Sequence, residues 1–492
     1  MRRTTISALL LTAAMAVGGV WACTDSSAPR VQPSPPPQPP PPPPPPAAFD
    51  ITPGVDTGTI GYWVVFRAQR ADSTVDEWVL SDTNIARVLG RYRDWITVLA
   101  LAPGTVTVKA RRFADSGQAT LLIPPADAPP GWEVIDLGLL DAVRGSANAI
   151  NESGVIVGTL QEGWVNPVSV GFIYKDGVMH KLPHAADLVY GEDPMAIGAS
   201  DKIAGIAYAH GPQLVSWDNA DAAPRLLSAR DQPSIIGMNA QGEVLANQGD
   251  LRGRLGALLW RQDGPVDLGA LTDTVGWGGE TYANAWNARG QIVGASKVAQ
   301  IYHGAGNQTK VFHPIVWENG VMRDLGVLAS SCRSKLACGW GEATGIDADG
   351  VIVGTTIADS LFRAFIVENG VMRDLGAFPG HNTAALAIND RGQILGAVGP
   401  AFYYWDYWGT TFVWDNGHVQ TLGSQVVSDP VLGPNGEVVG STIVSGDHMP
   451  HAFIWQAGYL TDLGRGLPAA MNSRGEIVGT RGSIPTLWRR KQ

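Results

Sequence analysis

The sequence predicts an all-β chain: a small sandwich near the N-terminus followed by a β-propeller built from four-stranded repeats. Three observations lead there. Glycine is abundant, 60 of 492 residues, while charged residues make up 16%, against usual shares of about 7% and about 25%; that is the chemistry of short strands and tight turns. Short alternating apolar runs recur between turn residues from Phe49 onward. From Gly131 to the end the chain repeats itself, and seven periods between Gly154 and Gly475 average about 46 residues. At a net charge of −10, or −12 once a leader carrying Arg2 and Arg3 is removed, nucleic acid is excluded as a natural partner.

Residues 1–22 combine Arg2 and Arg3 with an apolar stretch from Ile6 to Val20, the layout of an export signal too short to span a bilayer. Val20-Trp21-Ala22-Cys23 resembles a bacterial lipobox, in which the chain is cut before a cysteine that then carries lipid; the alternative is an ordinary secretory signal with Cys23 a spare thiol. Lipidation at Cys23 implies a membrane partner through the anchor and a cell-envelope location, the outer membrane or cell surface. Residues 23–46 follow as a stalk. Its prolines, Pro35 to Pro37 and Pro39 to Pro46, favour extended polyproline II and a spacer of roughly 45 Å.

Residues 47–124 hold the alternating runs Tyr62-Trp63-Val64-Val65-Phe66 and Thr105-Val106-Thr107-Val108, enough strands for a small sandwich. The run Trp78-Val79-Leu80-Ser81-Asp82, then Ile85 to Val88, then Ala102-Pro103-Gly104-Thr105-Val106 resembles the bacterial Ig-like group 2 family, which implies a surface-protein spacer. Trp78 is expected in its core. Residues 125–130, with Pro129-Pro130, read as a stiff linker.

Residues 131–492 carry three recurring phrases. Asn-x-x-Gly and an apolar strand appear at Asn151 to Gly158, Asn239 to Ala246, Asn287 to Gly294, Asp347 to Gly354, Asn389 to Gly396 and Asn472 to Gly479, with looser copies from Gly198 and Gly433. A strand ending in an aromatic and a turn appears at Gly171 to Gly177, Pro314 to Gly320, Ala364 to Gly370 and His451 to Trp455, among others. Asp-Leu-Gly appears at Asp136, Asp267, Asp324, Asp374 and Asp462. Asn or Asp opens a turn with its side-chain oxygen, and glycine three places on accepts a positive φ. Each unit therefore reads as a four-stranded sheet, and the series as propeller blades. The array opens on a solitary Asp-Leu-Gly strand and closes lacking one, so the first strand completes the last blade and the count is eight, with seven as the alternative.

His451-Ala452-Phe453-Ile454-Trp455 with Asp462-Leu463-Gly464 and Asn472 to Gly479 resembles the HAF repeat of bacterial extracellular proteins. That resemblance implies export and a repeat fold, and no defined reaction. The eponymous histidine recurs only at His313 and His451, which excludes a ring of histidine ligands.

In such a propeller the Asn-x-x-Gly and aromatic turns share one face. The other connections, all the long ones, share the opposite face: 159–169, 270–282, 296–312, 327–343 and 397–409. They carry Trp164, Trp277 and Tyr282, and the cluster Tyr403, Tyr404, Trp405, Asp406, Tyr407 and Trp408. These aromatics either stack against sugars or a protein ligand, with Asp406 accepting hydroxyl hydrogen bonds, or pack their hairpin onto the blade. Cys332 and Cys338 lie six apart in one long connection and are expected to form a disulfide in an oxidising compartment. Glu162, Asp273, Glu280, Glu342 and Asp406 could include a glycan-cleaving pair. Asp347-Ala348-Asp349-Gly350 falls at the recurrent hairpin and is read as a turn, not a calcium loop. No nucleophile elbow, phosphate loop or zinc motif occurs, so no cofactor or metal is expected. The reading is an exported, lipid-anchored binding or adhesion protein for glycan or protein; the alternatives are a propeller glycoside hydrolase or polysaccharide lyase, and a structural surface protein.

Overall fold

The computed structural model describes residues 49–69, 74–113, 115–125, 128–164, 166–184, 191–209, 211–228, 232–249, 255–271, 279–302, 308–328, 339–399, 409–423, 430–444 and 446–491. Strands make up its regular structure, with no helix among the described residues. Cys23, Trp277, Cys332, Cys338 and the cluster Tyr403 to Trp408 lie outside them.

Two four-stranded sheets come first. One orders Asp50–Thr52, Trp63–Gln69, Trp95–Ala100 and Ala86–Arg91; the other orders Val55–Thr57, Asp115–Ile123, Gly104–Arg112 and Glu77–Leu80. Their alternation is the cause of the pairing: Phe66 and Ala68 point inward with Ile96, Val98, Val106, Val108 and Leu121, and Trp78 joins them at 2% exposure, in the expected core position.

The rest is a series of antiparallel four-stranded units in chain order, the first two of which are joined into one eight-stranded sheet by a parallel pairing of Ser169 with Gly191. The first is Arg144–Ile150, Ile156–Glu162, Val168–Lys175 and Val178–Lys181; others begin at Gly191, Ser234, Thr281, Gly341, Asn382 and Val431. The last orders Leu467–Met471, Ile477–Arg481, Ile484–Arg490 and then Trp132–Asp136, so its fourth strand comes from the start of the array, with Asp136 opposite Thr486. First strands of successive sheets lie against one another, and Arg144–Ile150 lies against Leu467–Met471 and Ile477–Arg481. These are sheets of the propeller-blade kind.

The repeated letters have mutual causes. Gly158, Gly354, Gly396 and Gly440 stand opposite Phe172, Phe365, Phe412 and Phe453 in register. A Cβ on Gly396 would lie 2.3 Å from the Phe412 ring, and one on Gly158 2.0 Å from the Ser146 carbonyl oxygen. The glycine is the floor on which the fully buried phenylalanine rests, a burial worth roughly 1.5–3 kcal/mol per ring. Several first strands carry a register shift at the residue facing the second strand's glycine, as at Ala147/Ala149 opposite Gly158, Ala283/Ala285 opposite Gly294, Ala343/Gly345 opposite Gly354 and Ala385/Ala387 opposite Gly396.

The turn asparagines do more than open turns. Asn151 Oδ1 accepts from the backbone N–H groups of Ser153 (3.1 Å) and Val155 (2.9 Å), while its Nδ2 donates to the Gly198 carbonyl in the next sheet (3.1 Å). Asn287 reaches Asp347 (2.9 Å) and Asn389 reaches Gly433 (2.9 Å) in the same way. Aspartate has no such donor. At Asp347 the link is made in reverse, the Ala348 N–H donating to Asp390 Oδ1 of the following turn (2.7 Å). The expected turn role of Asp347 to Gly350 is seen directly, since Asp347 Oδ1 accepts from Asp349 and Val351.

Asp-Leu-Gly ends the strand at Asp267, Asp324 and Asp374 and lies within it at Asp462. Asp324, Asp374 and Asp462 each accept from the glycine N–H two places on, at 2.7, 2.7 and 2.8 Å. The intervening leucine turns into the core, as Leu375 (6%) and Leu463 (1%) show. The other aspartate lone pairs face the preceding strand. His313 Nδ1 meets Asp324 Oδ2 and His451 Nδ1 meets Asp462 Oδ2, both at 2.9 Å; Arg363 takes the same place opposite Asp374, whereas Asp136 pairs with Arg481 at the end of the second strand of its sheet. The recurring histidine is thus a tie between the third and fourth strands.

Two of the connections expected as long loops are lengthened hairpins. Ile292–Tyr302 pairs with Gln308–Glu318, and Ile156–Glu162 with Val168–Lys175. Alternating residues in 296–312 supply ladder partners, which is why the segment continues the sheet.

Candidate functional site

The sandwich is not held apart by its linker. It is seated on the side of the array that carries the long connections, against the last two sheets and the connection into the first. Leu99 and Arg87 are paired neighbours on the outer face of one sandwich sheet. Leu99 is fully buried in a cluster with Leu137, Leu139 and Ala142 of the array. The Arg87 guanidinium donates to the carbonyls of Ala142 (2.6 Å) and Leu140 (2.7 Å). On the last sheet, Ser483 N–H donates to the Gly61 carbonyl (2.7 Å), and on the sheet before it Arg465 Nη1 donates to Thr59 Oγ1 (2.8 Å).

Glycine is required at this joint. Gly61 has φ +84°, and a Cβ there would lie 2.0 Å from the Arg481 carbonyl oxygen; Gly482 has φ +60°, and a Cβ there would lie 2.3 Å from the Gly61 carbonyl oxygen. Two backbones meet with no side chain between them.

Beside the joint lies a cavity of about 400 Å³, lined by Tyr62 and Trp63 of the sandwich, by Leu467 and Thr480 of the last sheet and by Met449 and Pro450 at the third strand of the sheet before it. Trp63 stays 55% exposed and Leu467 46%. Trp164, exposed at the hairpin end of the first sheet, stands edge-on to Trp63 with ring centroids 6.5 Å apart at 82°. Behind the cavity runs a charge relay. Arg465 Nε donates to Asp447 Oδ2 (2.6 Å), Asp447 Oδ2 also meets His451 Nε2 (3.1 Å), and His451 Nδ1 meets Asp462. The hydrogen bond from Arg465, then that from His451, holds the Asp447 carboxyl well below the usual carboxylate range. The Arg465 guanidinium lies 5.7 Å from the Tyr62 ring centre, and burial pushes the Tyr62 phenol up.

Of the residues singled out in the sequence, Trp164 belongs to this site and the structure adds its neighbour Trp63. Tyr282 does not reach it. Its ring packs on Phe312 (5.4 Å) and its hydroxyl donates to Glu342 Oε2 (3.1 Å); burial raises the Glu342 carboxyl above its ordinary value. Of the carboxylates considered as a pair, Asp273 and Asp406 lie outside the described residues and the others are separately engaged: Glu342 by Tyr282, Glu280 buried between Lys297 (2.9 Å) and Lys310 (2.8 Å), and Glu162 by Lys181. Among the described residues no group of three or more His, Cys, Asp or Glu side chains is placed to hold a metal ion. Sequence reasoning missed Tyr62, Trp63, Met449 and Leu467. Trp63 sits in a run of five apolar residues that hides which side chains point outward.

No family model and no curated protein matches the chain. Among solved structures, it is similar to the β-propeller domain of the Trilobed protease from Pyrococcus furiosus, at 11% identity and a TM-score of 0.40, over 64% of this chain and 96% of that one. It is also similar to an acylaminoacyl peptidase from Pyrococcus horikoshii, at 12% identity and a TM-score of 0.40, over 70% of this chain and 58% of that one. A third is YCF48 bound to D1 peptide, at 12% identity and a TM-score of 0.37, over 75% and 99%. Likenesses this distant say nothing of ligand or reaction.

Proposed function

We propose that the chain is an exported, lipid-anchored, non-catalytic binding protein: an Ig-like sandwich seated on an eight-bladed propeller of HAF-type repeats, recognising glycan or protein through the face of the long connections. The strand Trp132–Asp136 inside the last sheet supports ring closure, as does contact between the first and last sheets. Cys23 is the proposed lipid site and Cys332–Cys338 the proposed disulfide.

The observation that carries the binding reading is the meeting of Trp63 and Trp164. Two exposed tryptophans from separate parts of the chain are brought together at a cavity, on the face that also bears the long connections. Exposed aromatic surface of this kind is characteristic of recognition sites. The neighbouring carboxylates Asp447 and Asp462 are engaged by Arg465 and His451, which favours binding over acid–base chemistry at this place.

The test is a glycan and protein-ligand screen with the exported chain. Saturable binding without turnover, weakened by Trp164→Ala at unchanged melting temperature, is expected; release of reducing sugar would overturn the reading in favour of a hydrolase. Membrane association of Cys23→Ala equal to that of the parent would remove the anchor.

A further inference from the structure

We infer that the cavity at the joint is a composite subsite for one neutral sugar unit of a glycan, walled by the sandwich on one side and the ring on the other. The inference rests on the binding reading above and adds the place and the ligand class.

Size is the first ground. A cavity of about 400 Å³ lies at the lower end of the roughly 300–1,000 Å³ range of small-molecule sites, which suits a pyranose and not a folded partner. The walls are the second. Tyr62 and Trp63 offer ring surface, and Met449, Pro450 and Leu467 offer aliphatic surface across from it. The C–H face of a pyranose packs on such surfaces, while its equatorial hydroxyls remain at the rim, where Thr480 and the exposed backbone at Gly482 can exchange hydrogen bonds. Trp164, edge-on to Trp63, extends the aromatic wall for a neighbouring unit of the same glycan.

Charge is the third ground and selects among saccharides. Two cations act on Tyr62 at these walls, and both are paired: Arg465, 5.7 Å from the ring centre, is matched by Asp447 at 2.6 Å, and Arg481 by Asp136; His451 lies between Asp447 and Asp462. A uronic acid or sulfated sugar would have to draw Arg465 away from Asp447, and an amino sugar would have to draw Asp447 away from Arg465. A neutral unit disturbs neither. The fourth ground is preorganisation: the contact of Gly61 with Gly482 and the Ser483-to-Gly61 hydrogen bond fix the distance between the two walls, so little order is lost on binding.

The experiment uses the exported chain and titrates neutral cello-, xylo- and manno-hexaose and acidic oligogalacturonate by calorimetry, with melting temperature recorded for each protein. A neutral hexaose is expected to bind, oligogalacturonate not, and Trp63→Ala and Leu467→Ala are each expected to weaken binding by about tenfold or more at an unchanged melting temperature. Leu467→Ala keeps the test open should Trp63→Ala fold poorly. Undiminished affinity in both variants would overturn the composite site while leaving the binding reading in place. Preference for oligogalacturonate would overturn neutrality. A folded parent that binds none of these sugars yet binds a protein ligand would overturn the inference alone, and one that binds no ligand of either kind would end both.

Discussion

The side-chain amide of Asn472 donates to the backbone carbonyl of Asn151, 321 positions earlier in the chain, at 3.2 Å. It is the same bond that Asn151 makes to Gly198 and Asn389 to Gly433, so the last sheet treats the first as its successor.

Asn472→Asp keeps the oxygen that accepts from Arg474 and Glu476 but removes the donor and sets a carboxylate against a carbonyl. A loss of about 1–3 kcal/mol is expected from urea denaturation. Asn239→Asp is the matched comparison, since the Asn239 amide reaches Glu243 of its own turn; its loss is expected to be smaller. Equal losses would mean that the bond to Asn151 adds nothing.

Gly61→Ala sets a methyl group 2.0 Å from the Arg481 carbonyl oxygen, at a φ of +84° that L side chains resist. The sandwich must then lift from the last sheet, at a cost of about 1–3 kcal/mol. Limited proteolysis between 124 and 131 should accelerate while the sandwich and array remain intact; an unchanged cleavage rate would refute the joint.

Burial raises the Glu342 carboxyl. A carboxyl whose pKa is higher folded than unfolded holds its proton longer in the folded state, so its ionisation destabilises the protein as pH rises through that window. Glu342→Gln still accepts from Tyr282 and carries no charge. Its melting temperature should exceed the parent's at pH 7.5, with the gap closing toward pH 4. A variant less stable at pH 7.5 would show that the carboxylate is needed.

Asp447 works in the opposite sense. Its carboxyl is held low by Arg465 and His451, so its contribution is present above the ordinary carboxylate range and is lost as pH falls below it. Asp447→Asn should destabilise at pH 7, and the difference should shrink in urea titrations below about pH 4. Because Arg465 also reaches Thr59, the same change should speed cleavage between 124 and 131.

Much of the fold was legible because its letters act locally. Asn151, Gly154 and Gly158 mark a turn and a strand by their own chemistry, and the structure puts each there. Asp-Leu-Gly was legible as a unit but not as a strand end, since the partner of Asp324 is His313 on the preceding strand and the pairing shows only once both strands are in register. The lengthened hairpin 292–318 was hidden because its polar, glycine-bearing tip reads as a loop. The site was least legible. Trp164 stood out as an exposed aromatic between strands, whereas its neighbour Trp63 is 101 positions away in a segment whose alternation suggests an ordinary sandwich strand. The seating of Gly61 on Gly482 joins residues 421 apart, and no periodicity records that.

Asp136 and Thr486, neighbours in the last sheet, are separated by 350 positions. At roughly 5–20 residues per second of synthesis, the strand around Asp136 waits about 20 to 70 s for its partner to be made. The sandwich precedes it and has all its own strands by then. Its buried contact with Leu137 and Leu139 needs no residue made after them, so the apolar end of the waiting strand has a partner before its own sheet can form.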